Sequence, residues 1–182
     1  MRRIALVIGM ITVFLIYLGI KRPAPVSQMP HIIVVKAHNR LYFFDHQRLV
    51  HDFPVATGEL PTLTPEGSFV IGDKAVNPLG LPLDDSVYGS HWLGLSHLDG
   101  TDTKYGIHGT NEPSSIGFYV SKGCIRMRNE DIEALYPMVE QGTRVYIQRG
   151  FFYGVRRWVN RLKRGAQNAA NSTNSTYALL SK

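Results

Sequence analysis

The sequence contains one cysteine, Cys124, within the run Ser121–Met127 (SKGCIRM). A thiolate is a strong nucleophile, and nearby positive charge favours thiolate over thiol. Lys122 and Arg126 supply such charge, and Gly123 permits a tight turn whose backbone N–H groups point to one place, as in an oxyanion hole. The pattern indicates a candidate nucleophile, with a buried core cysteine as the alternative. A lone cysteine excludes an intramolecular disulfide and a multi-cysteine zinc site.

A cysteine nucleophile needs a base, and the candidate is His108 in the strand-like run Tyr105–Thr110 (YGIHGT). His108 lies 16 residues before Cys124, which is too far for neighbours on one helix. Two adjacent strands would bring the side chains together. The far ring N–H of the imidazole then needs an acceptor that fixes the tautomer, and the backbone carbonyl of Gly109 is available for that purpose.

The other six histidines are weaker candidates for chemistry. His91 and His97 lie on either side of the Trp92 segment, where they could contact a substrate. The remaining four lie among early strands and turns and are expected to be surface or packing residues. No pair of histidines has the spacing of a helix-borne zinc site, so neither a metal nor a cofactor is expected.

The elements that must position these side chains are mostly short strands. Ten prolines and 17 glycines, between runs rich in β-branched and aromatic residues, predict many turns. The predicted strands are His31–Lys36, Leu41–Asp45, Leu49–Thr57, Ser68–Gly72, His91–Leu95, Tyr105–Gly109 and Thr143–Gln148, and Val120–Met127 is predicted to be a strand or a strand followed by a turn. One helix is predicted after the cysteine, capped by Asn129 and ended by Gly142, with Ile132 and Leu135 on its apolar face. The pattern predicts a mainly β sandwich or barrel.

The N-terminal segment is apolar. Residues 4–20 carry no charge and have basic pairs on both sides. As a helix this run is roughly 25 Å long, near the lower limit for crossing a bilayer. Residues 1–22 are therefore predicted to be a transmembrane anchor that holds the rest outside the cytoplasm, with a cleaved signal peptide as the alternative. Residues 23–30 (PAPVSQMP) are predicted to be a Pro-rich linker.

The formal net charge of +6 comes from the two ends of the chain. Residues 23–148 hold nine Lys/Arg and all 14 Asp/Glu, a net charge of −5. A nucleic-acid-binding domain would concentrate positive charge on itself, so nucleic acid is excluded as a partner. Residues 151–165 are predicted to form a basic amphipathic helix that lies on an anionic membrane surface or docks on the core. Residues 166–182 are predicted to be a disordered tail.

Several motifs together resemble the L,D-transpeptidase catalytic domain, also called the YkuD domain. They are HGT at 108–110, Ser-Ile-Gly at 115–117, SKGCIRMRNED at 121–131 with a helix after it, TPEGSF at 64–69, and WLGL at 92–95. The resemblance covers residues 31–148, and the combination of motifs is specific where each alone is not. It implies that residues 31–150 are a mainly β catalytic domain acting on peptidoglycan stem peptides in the bacterial cell envelope.

The resemblance also implies a reaction. The family's cysteine attacks the carbonyl of the third stem residue, usually a diamino acid, expels the terminal D-Ala and leaves a thioester. An amine of a neighbouring stem then takes the acyl group and forms a cross-link. Two alternatives stay open. One is an L,D-carboxypeptidase or related hydrolase, in which water takes the acyl group, and the other is a catalytically silent cell-wall-binding module.

By position in these motifs, the family's nucleophile corresponds to Cys124 and its base to His108. The backbone carbonyl that orients the histidine corresponds to that of Gly109. The oxyanion donors correspond to the backbone N–H groups of Gly123 and Cys124.

Four further residues are expected to bind substrate. Arg126 matches a basic position after the cysteine and is suited to hold a carboxylate, and Ser121 matches a small hydroxyl position. Trp92 belongs to the upstream WLGL segment. Lys122 is a departure, because the family usually has His at this position. Since the base corresponds to His108, activity is expected to survive this difference, while substrate preference and thiolate activation are affected.

Overall fold

The computed structural model describes residues 29–150, which form a curled main sheet, a separate pair of short strands and a short helix. The strands are β1 His31–Val35, β2 Arg40–Asp45, β3 Arg48–Pro54, β4 Thr57–Gly58, β5 Gly67–Val76, β6 His91–Ser96, β7 Asp102–His108, β8 Tyr119–Ser121, β9 Ile125–Arg126 and β10 Arg144–Gln148. The helix is α1, Asn129–Leu135. The mainly β architecture with one short helix after the cysteine is confirmed.

Eight strands form the main sheet, in the order β3-β2-β1-β10-β5-β6-β7-β9. Neighbours pair antiparallel except β1 with β10 and β7 with β9, which are parallel. β4 and β8 form a separate parallel pair. Ala56, just before β4, exchanges backbone hydrogen bonds of 2.9 and 3.0 Å with Arg126 and so covers the outer edge of β9. The last strands of the sheet, where the cysteine motif lies, are therefore fixed on both sides.

The main core cluster combines side chains of the sheet with those of α1. Strand alternation directs Ile32 and Val34 of β1 into the main cluster, while Val35 joins a small second cluster with Tyr42 and Phe44. Other members of the main cluster include Phe69, Ile71, Leu93, Leu95, Ile107, Ile125, Met127, Ile132 and Leu135. Burial of each large apolar side chain stabilises the fold by about 1.5–3 kcal/mol before entropy is counted. Ile107 and Ile125, one residue from the candidate chemistry, are both 0% exposed, so the site rests on the core.

The helix differs from its prediction at both ends. Arg128 is the N-cap and Asn129 is the first helical residue, with no side-chain capping bond. The apolar face with Ile132 and Leu135 is buried as predicted, but α1 ends at Leu135 and continues only as a 3₁₀ turn, Tyr136–Met138. Pro137 lacks a backbone N–H and so cannot continue the helical hydrogen-bond pattern, which explains the early end.

Within residues 29–150 no helix is long and apolar enough to cross a membrane. The predicted anchor at 1–22, the basic helix at 151–165 and the tail at 166–182 lie outside the residues that the structure describes.

Candidate active site

The parallel pairing of β7 with β9 brings the candidate base next to the candidate nucleophile. His108 is the last residue of β7, opposite Arg126, and Ile107 is opposite Ile125. Cys124 immediately precedes β9, so it lies beside Gly106, whose backbone hydrogen-bonds to the thiol. His108 and Cys124 line the same cavity, of about 390 Å³. Two residues that are 16 positions apart in the sequence thus face one cavity from a single pair of strands.

His108 is held as a neutral, oriented base. The side chain is buried, and Nδ1 lies 2.6 Å from the carbonyl oxygen of Gly109. That oxygen only accepts, so Nδ1 carries the proton and Nε2 is left unprotonated. Burial lowers the pKa of His108 to about 4; the Gly109 hydrogen bond opposes this shift, and the charge of Arg126 adds to it. The imidazole is therefore uncharged at neutral pH and able to accept a proton.

Two aromatic rings enclose the imidazole. The ring of Trp92, directly opposite His108 on β6, is 5.7 Å away at an interplanar angle of 22°, and that of Tyr88 meets it edge-on at 5.0 Å. These rings exclude water from His108 and keep its ring plane fixed.

The thiol of Cys124 differs from its sequence-based expectation. Burial is the largest influence and raises the pKa of Cys124, whereas the Gly106 backbone and the charge of Arg126 lower it by less. The expectation that positive charge from Lys122 and Arg126 favours the thiolate holds only in part. Arg126 acts in the expected direction but is outweighed, and Lys122 points to solvent and is not among the groups that shift the thiol. The resting site is a protonated thiol beside a neutral imidazole.

The turn before the cysteine is fixed by Ser121. Its hydroxyl donates to the carbonyl oxygen of Cys124 at 2.6 Å and accepts from the N–H of Gly123 at 3.1 Å. Gly123 has φ = 129°, and a Cβ there would lie 2.4 Å from the Tyr105 ring and 2.6 Å from the Leu63 carbonyl oxygen, so only glycine fits. As an oxyanion donor, Gly123 would have to exchange its bond to Ser121 for one to the substrate.

The predicted carboxylate-binding residue, Arg126, is paired in this structure. Its Nη1 lies 3.0 Å from Oε2 of Glu112, an exposed carboxylate on the loop after β7. Arg126 lines the cysteine cavity together with the exposed cations Lys104 and Lys122 and the exposed carboxylate of Glu59. The cavity rim thus carries more positive than negative charge, which suits an anionic peptide.

The other predicted contacts lie elsewhere. Trp92 does not line the cysteine cavity; it lines a neighbouring one, behind His108. His91 packs on Tyr136 at 4.5 Å and His97 packs near Phe69 at 5.7 Å, so neither reaches the cysteine cavity. Within residues 29–150 no three His, Cys, Asp or Glu side chains are grouped as metal ligands.

Asn129 is a structural residue of the site that sequence reasoning assigned only to helix capping. Its Oδ1 accepts from the N–H of Ser90 and the N–H of Thr110, both at 3.1 Å. Gly109 and Gly89 face this amide so closely that a Cβ on either would lie 2.2 or 2.1 Å from Oδ1. Asn129 therefore fixes the backbone on which the Gly109 carbonyl orients His108. The glycine directly after His108 signals that something packs closely on the backbone there. The sequence does not show that this neighbour is Asn129.

Replacing Asn129 with Ala is expected to lower the free energy of unfolding by about 2 kcal/mol, since two partly buried N–H donors lose their acceptor. Asn129→Asp keeps an acceptor oxygen and should lose less. Glu130→Ala, at the adjacent exposed position, is the control. Urea denaturation of the full chain measures all three, and equal losses for Asn129→Ala and Glu130→Ala would contradict the bridging role.

Comparison with known proteins agrees with this arrangement. Residues 29–147 match the family model described as the L,D-transpeptidase catalytic domain, YkuD. The chain is 44% identical over 130 residues to the YkuD protein of Bacillus licheniformis, an L,D-transpeptidase by name, covering 71% of this chain and 70% of the relative. It is 42% identical over 127 residues to the YkuD protein of Bacillus subtilis, covering 70% and 71%.

Two solved structures share the fold. Bd1075 of Bdellovibrio bacteriovorus aligns with a TM-score of 0.55 at 20% identity, covering 76% of this chain and 55% of that one. The catalytic domain of the Enterococcus faecium L,D-transpeptidase aligns with a TM-score of 0.51 at 20% identity, covering 66% and 98%. This chain thus spans just over half of Bd1075. The family match over residues 29–147, with the identity to the two Bacillus proteins, shows that the chain belongs to the L,D-transpeptidase (YkuD) catalytic domain family.

Proposed function

We propose that this chain is a cysteine L,D-transpeptidase that acts on peptidoglycan stem tetrapeptides. The observation that carries the proposal is a buried, neutral imidazole locked to the Gly109 carbonyl, beside Cys124 in one cavity. A thiol, a base and an orienting acceptor are the parts that nucleophilic acyl transfer needs. Family membership supplies the substrate class, because no group in the cavity identifies a peptide by itself.

In the acylation step, His108 Nε2 takes the proton of Cys124 as sulfur attacks the carbonyl carbon of the third stem residue. The S–C bond forms, and the N–H of Cys124 stabilises the tetrahedral oxyanion together with that of Gly123, which exchanges its bond to Ser121 for one to the oxyanion. The C–N bond to D-Ala then breaks, and His108 returns the proton to the leaving amine. The thioester and free D-Ala remain. Because the resting pair is neutral, charge develops only in the transition state, where Arg126 favours the negative charge on sulfur and disfavours the positive charge on His108.

In the transfer step, the amine of a second stem attacks the thioester carbonyl. His108 takes a proton from that amine and delivers it to sulfur as the S–C bond breaks, which restores the thiol and leaves an amide cross-link. Water in place of the amine would give the L,D-carboxypeptidase alternative. Tyr88 and Trp92 favour the amine indirectly, because they keep bulk water away from His108.

Arg126 is suited to bind a carboxylate of the stem. Glu112 already pairs with its guanidinium, in an exposed contact of the kind that contributes little stability. A substrate carboxylate can therefore replace Glu112 without a large energetic penalty. The predicted anchor at 1–22 and the predicted membrane-surface helix at 151–165 would hold the domain at the outer face of the membrane, within reach of the wall.

Intact mass spectrometry of the full chain mixed with a disaccharide-tetrapeptide tests the proposal. We expect an adduct equal to the substrate minus D-Ala, and no adduct on Cys124→Ala. Adding an amine acceptor should then release a cross-linked product. Free tripeptide as the sole product would favour the carboxypeptidase. Absence of both adduct and free D-Ala would contradict the proposal and favour the silent wall-binding module.

Lys122→Ala is expected to slow acylation about threefold, since Lys122 is exposed and contributes only to the charge of the rim. Lys122→His, which restores the residue usual in the family, should act at a rate close to that of the unmodified chain. The rate of D-Ala release at saturating and at low substrate checks both variants. A loss of acylation rate in Lys122→Ala as large as that in His108→Ala would show that Lys122 takes part in proton transfer.

A further inference from the structure

The loop that joins β4 to β5 packs on the turn that carries the oxyanion donors. The N–H of Glu59 donates to the Ser121 carbonyl oxygen at 2.9 Å, so the β4–β5 loop begins against the cysteine motif. The loop approaches the same motif again at Leu63. A Cβ on Gly123 would lie 2.6 Å from the Leu63 carbonyl oxygen and 2.4 Å from the Tyr105 ring. The backbone at Gly123 is therefore in close contact with both groups.

These two neighbours of the turn are held in different ways. Tyr105 belongs to β7 and packs against the main core cluster, so the sheet fixes its ring. Leu63 lies in a loop that also contains Pro61 and Pro65, and proline has no backbone N–H to donate to a loop carbonyl. The position of the Leu63 carbonyl therefore depends on donors from outside the loop.

Lys36 supplies such donors. It lies in the 3₁₀ turn directly after β1 and is only 6% exposed. Its Nζ donates to the carbonyl oxygens of Pro61 at 2.6 Å and Thr64 at 2.8 Å, before and after Leu63 in the sequence, and lies 2.9 Å from Oε1 of Glu66. These three acceptors match the three N–H donors of an ammonium, which offsets the cost of burying the charge. The ammonium thus ties the β4–β5 loop to the end of β1.

We propose that Lys36 is a positioning residue for the acylation of Cys124. It acts through the Leu63 carbonyl, which keeps the turn at Gly123 in the shape that presents the N–H groups to the oxyanion. The inference rests on the proposed function. Glycine is conformationally permissive, so without this contact the turn would sample other shapes. The Gly123 N–H leaves Ser121 for the oxyanion during attack, and the two donors stay aligned only while the turn keeps its φ of 129°.

Two reactions of Cys124 distinguish this role from a general effect on the site. Acylation by a disaccharide-tetrapeptide passes through an oxyanion. Alkylation by iodoacetamide does not, because sulfur displaces iodide from a saturated carbon while His108 takes the thiol proton. In the full chain, Lys36→Met keeps an apolar stem but removes the three donors, and we expect acylation at saturating donor to slow about thirtyfold. The half-saturating donor concentration and the rate of alkylation should stay within about twofold of those of the unmodified chain.

Lys74→Met is the matched control. The Nζ of Lys74 also donates to two backbone carbonyls, those of Tyr136 and Val139, but in the segment that follows α1. This variant should be less stable than the unmodified chain, with both reactions within about twofold of it. Lys36→Arg should recover most of the acylation rate, because a cavity of about 330 Å³ beside Lys36 has room for a guanidinium that can donate to the same carbonyls.

Equal losses of acylation and alkylation in Lys36→Met, or no loss in either, would overturn the inference while acylation of the unmodified chain still supported the proposed function. If circular dichroism shows that Lys36→Met does not fold, Thr64→Val tests the same loop, because it removes the oxygen that accepts the Gly58 N–H at 2.8 Å. It should slow acylation alone about fivefold, and equal effects on both reactions would overturn the inference. Alkylation without acylation of Cys124 in the unmodified chain would overturn both the inference and the proposed function.

Discussion

Replacing His108 with Ala is expected to lower the rate of Cys124 acylation by a stem tetrapeptide about 10³-fold or more. Burial raises the pKa of Cys124, so the thiol stays protonated at neutral pH and cannot attack until its proton is removed. The imidazole of His108 is the base that lines the same cavity with an oriented, unprotonated nitrogen. The initial rate of adduct formation at pH 7 checks this expectation.

The control for His108→Ala is His51→Ala. His51 lies on β3 at the far edge of the sheet, where its ring stacks on Phe53 at 5.0 Å. Its removal should leave acylation within about twofold of the unmodified chain. Circular dichroism of each variant separates loss of a base from loss of fold. Residual acylation within tenfold of the unmodified chain in folded His108→Ala would contradict the assignment of the base.

Local signals were enough to predict the general arrangement of the site. The glycine after His108 and the glycine before Cys124 mark positions where the backbone must turn tightly or be approached closely. Each of these two dipeptides lies in a run that the sequence predicts to be a strand. The structure places the two runs side by side in parallel, with the Gly109 carbonyl on Nδ1. The mainly β fold followed from short β-branched and aromatic runs separated by proline and glycine. These features depend on contacts near in sequence or on one pair of strands.

Features that depend on long-range contacts could not be read in this way. Asn129 has the residue type of a helix cap, and the sequence does not reveal that Ser90, 39 residues earlier, supplies an N–H to it. Trp92 was assigned to the substrate because of its segment, but the sheet order places its ring on Gly106, next to a cavity whose existence requires β5, β6 and β7 together. Sheet order is a global property, so only the folded chain fixes such neighbours.

The balance of charge and burial at Cys124 was also beyond a sequence argument. Counting Lys122 and Arg126 predicts that charge lowers the pKa of Cys124, but it gives no measure of how far burial raises it. In the structure, burial has a larger effect on this pKa than the charge of Arg126. The consequence is mechanistic. A standing thiolate would need no base, whereas a buried thiol requires His108 to act in the same step as attack. The reactivity of the cysteine is therefore coupled to the protonation state of His108.

The depressed pKa of His108 also predicts a strong pH dependence of stability. His108 has a folded-state pKa of about 4, against the ordinary value of 6.5 that the unfolded chain should have. Because the folded-state pKa is depressed, the contribution of neutral His108 to the free energy of unfolding is fully present above pH 6.5. This contribution is lost as the pH falls towards 4. Protonation of the unfolded state alone lowers the free energy of unfolding by about 3 kcal/mol over this interval. The rate of acylation should fall only near pH 4, where His108 becomes protonated in the folded protein.

Denaturant unfolding of the full chain at pH 7 and pH 4, compared with His108→Gln, isolates this contribution. Carboxyl groups such as Asp131, whose pKa is raised by burial, and Glu66, whose pKa is lowered by Lys36, titrate nearby but do so in both proteins. Subtracting the two pH dependences therefore leaves the His108 term. The unmodified chain should lose about 3 kcal/mol more than His108→Gln between the two pH values. Equal losses would mean that His108 is solvated in the native protein, and a solvated imidazole would not be the buried base that acylation of Cys124 requires.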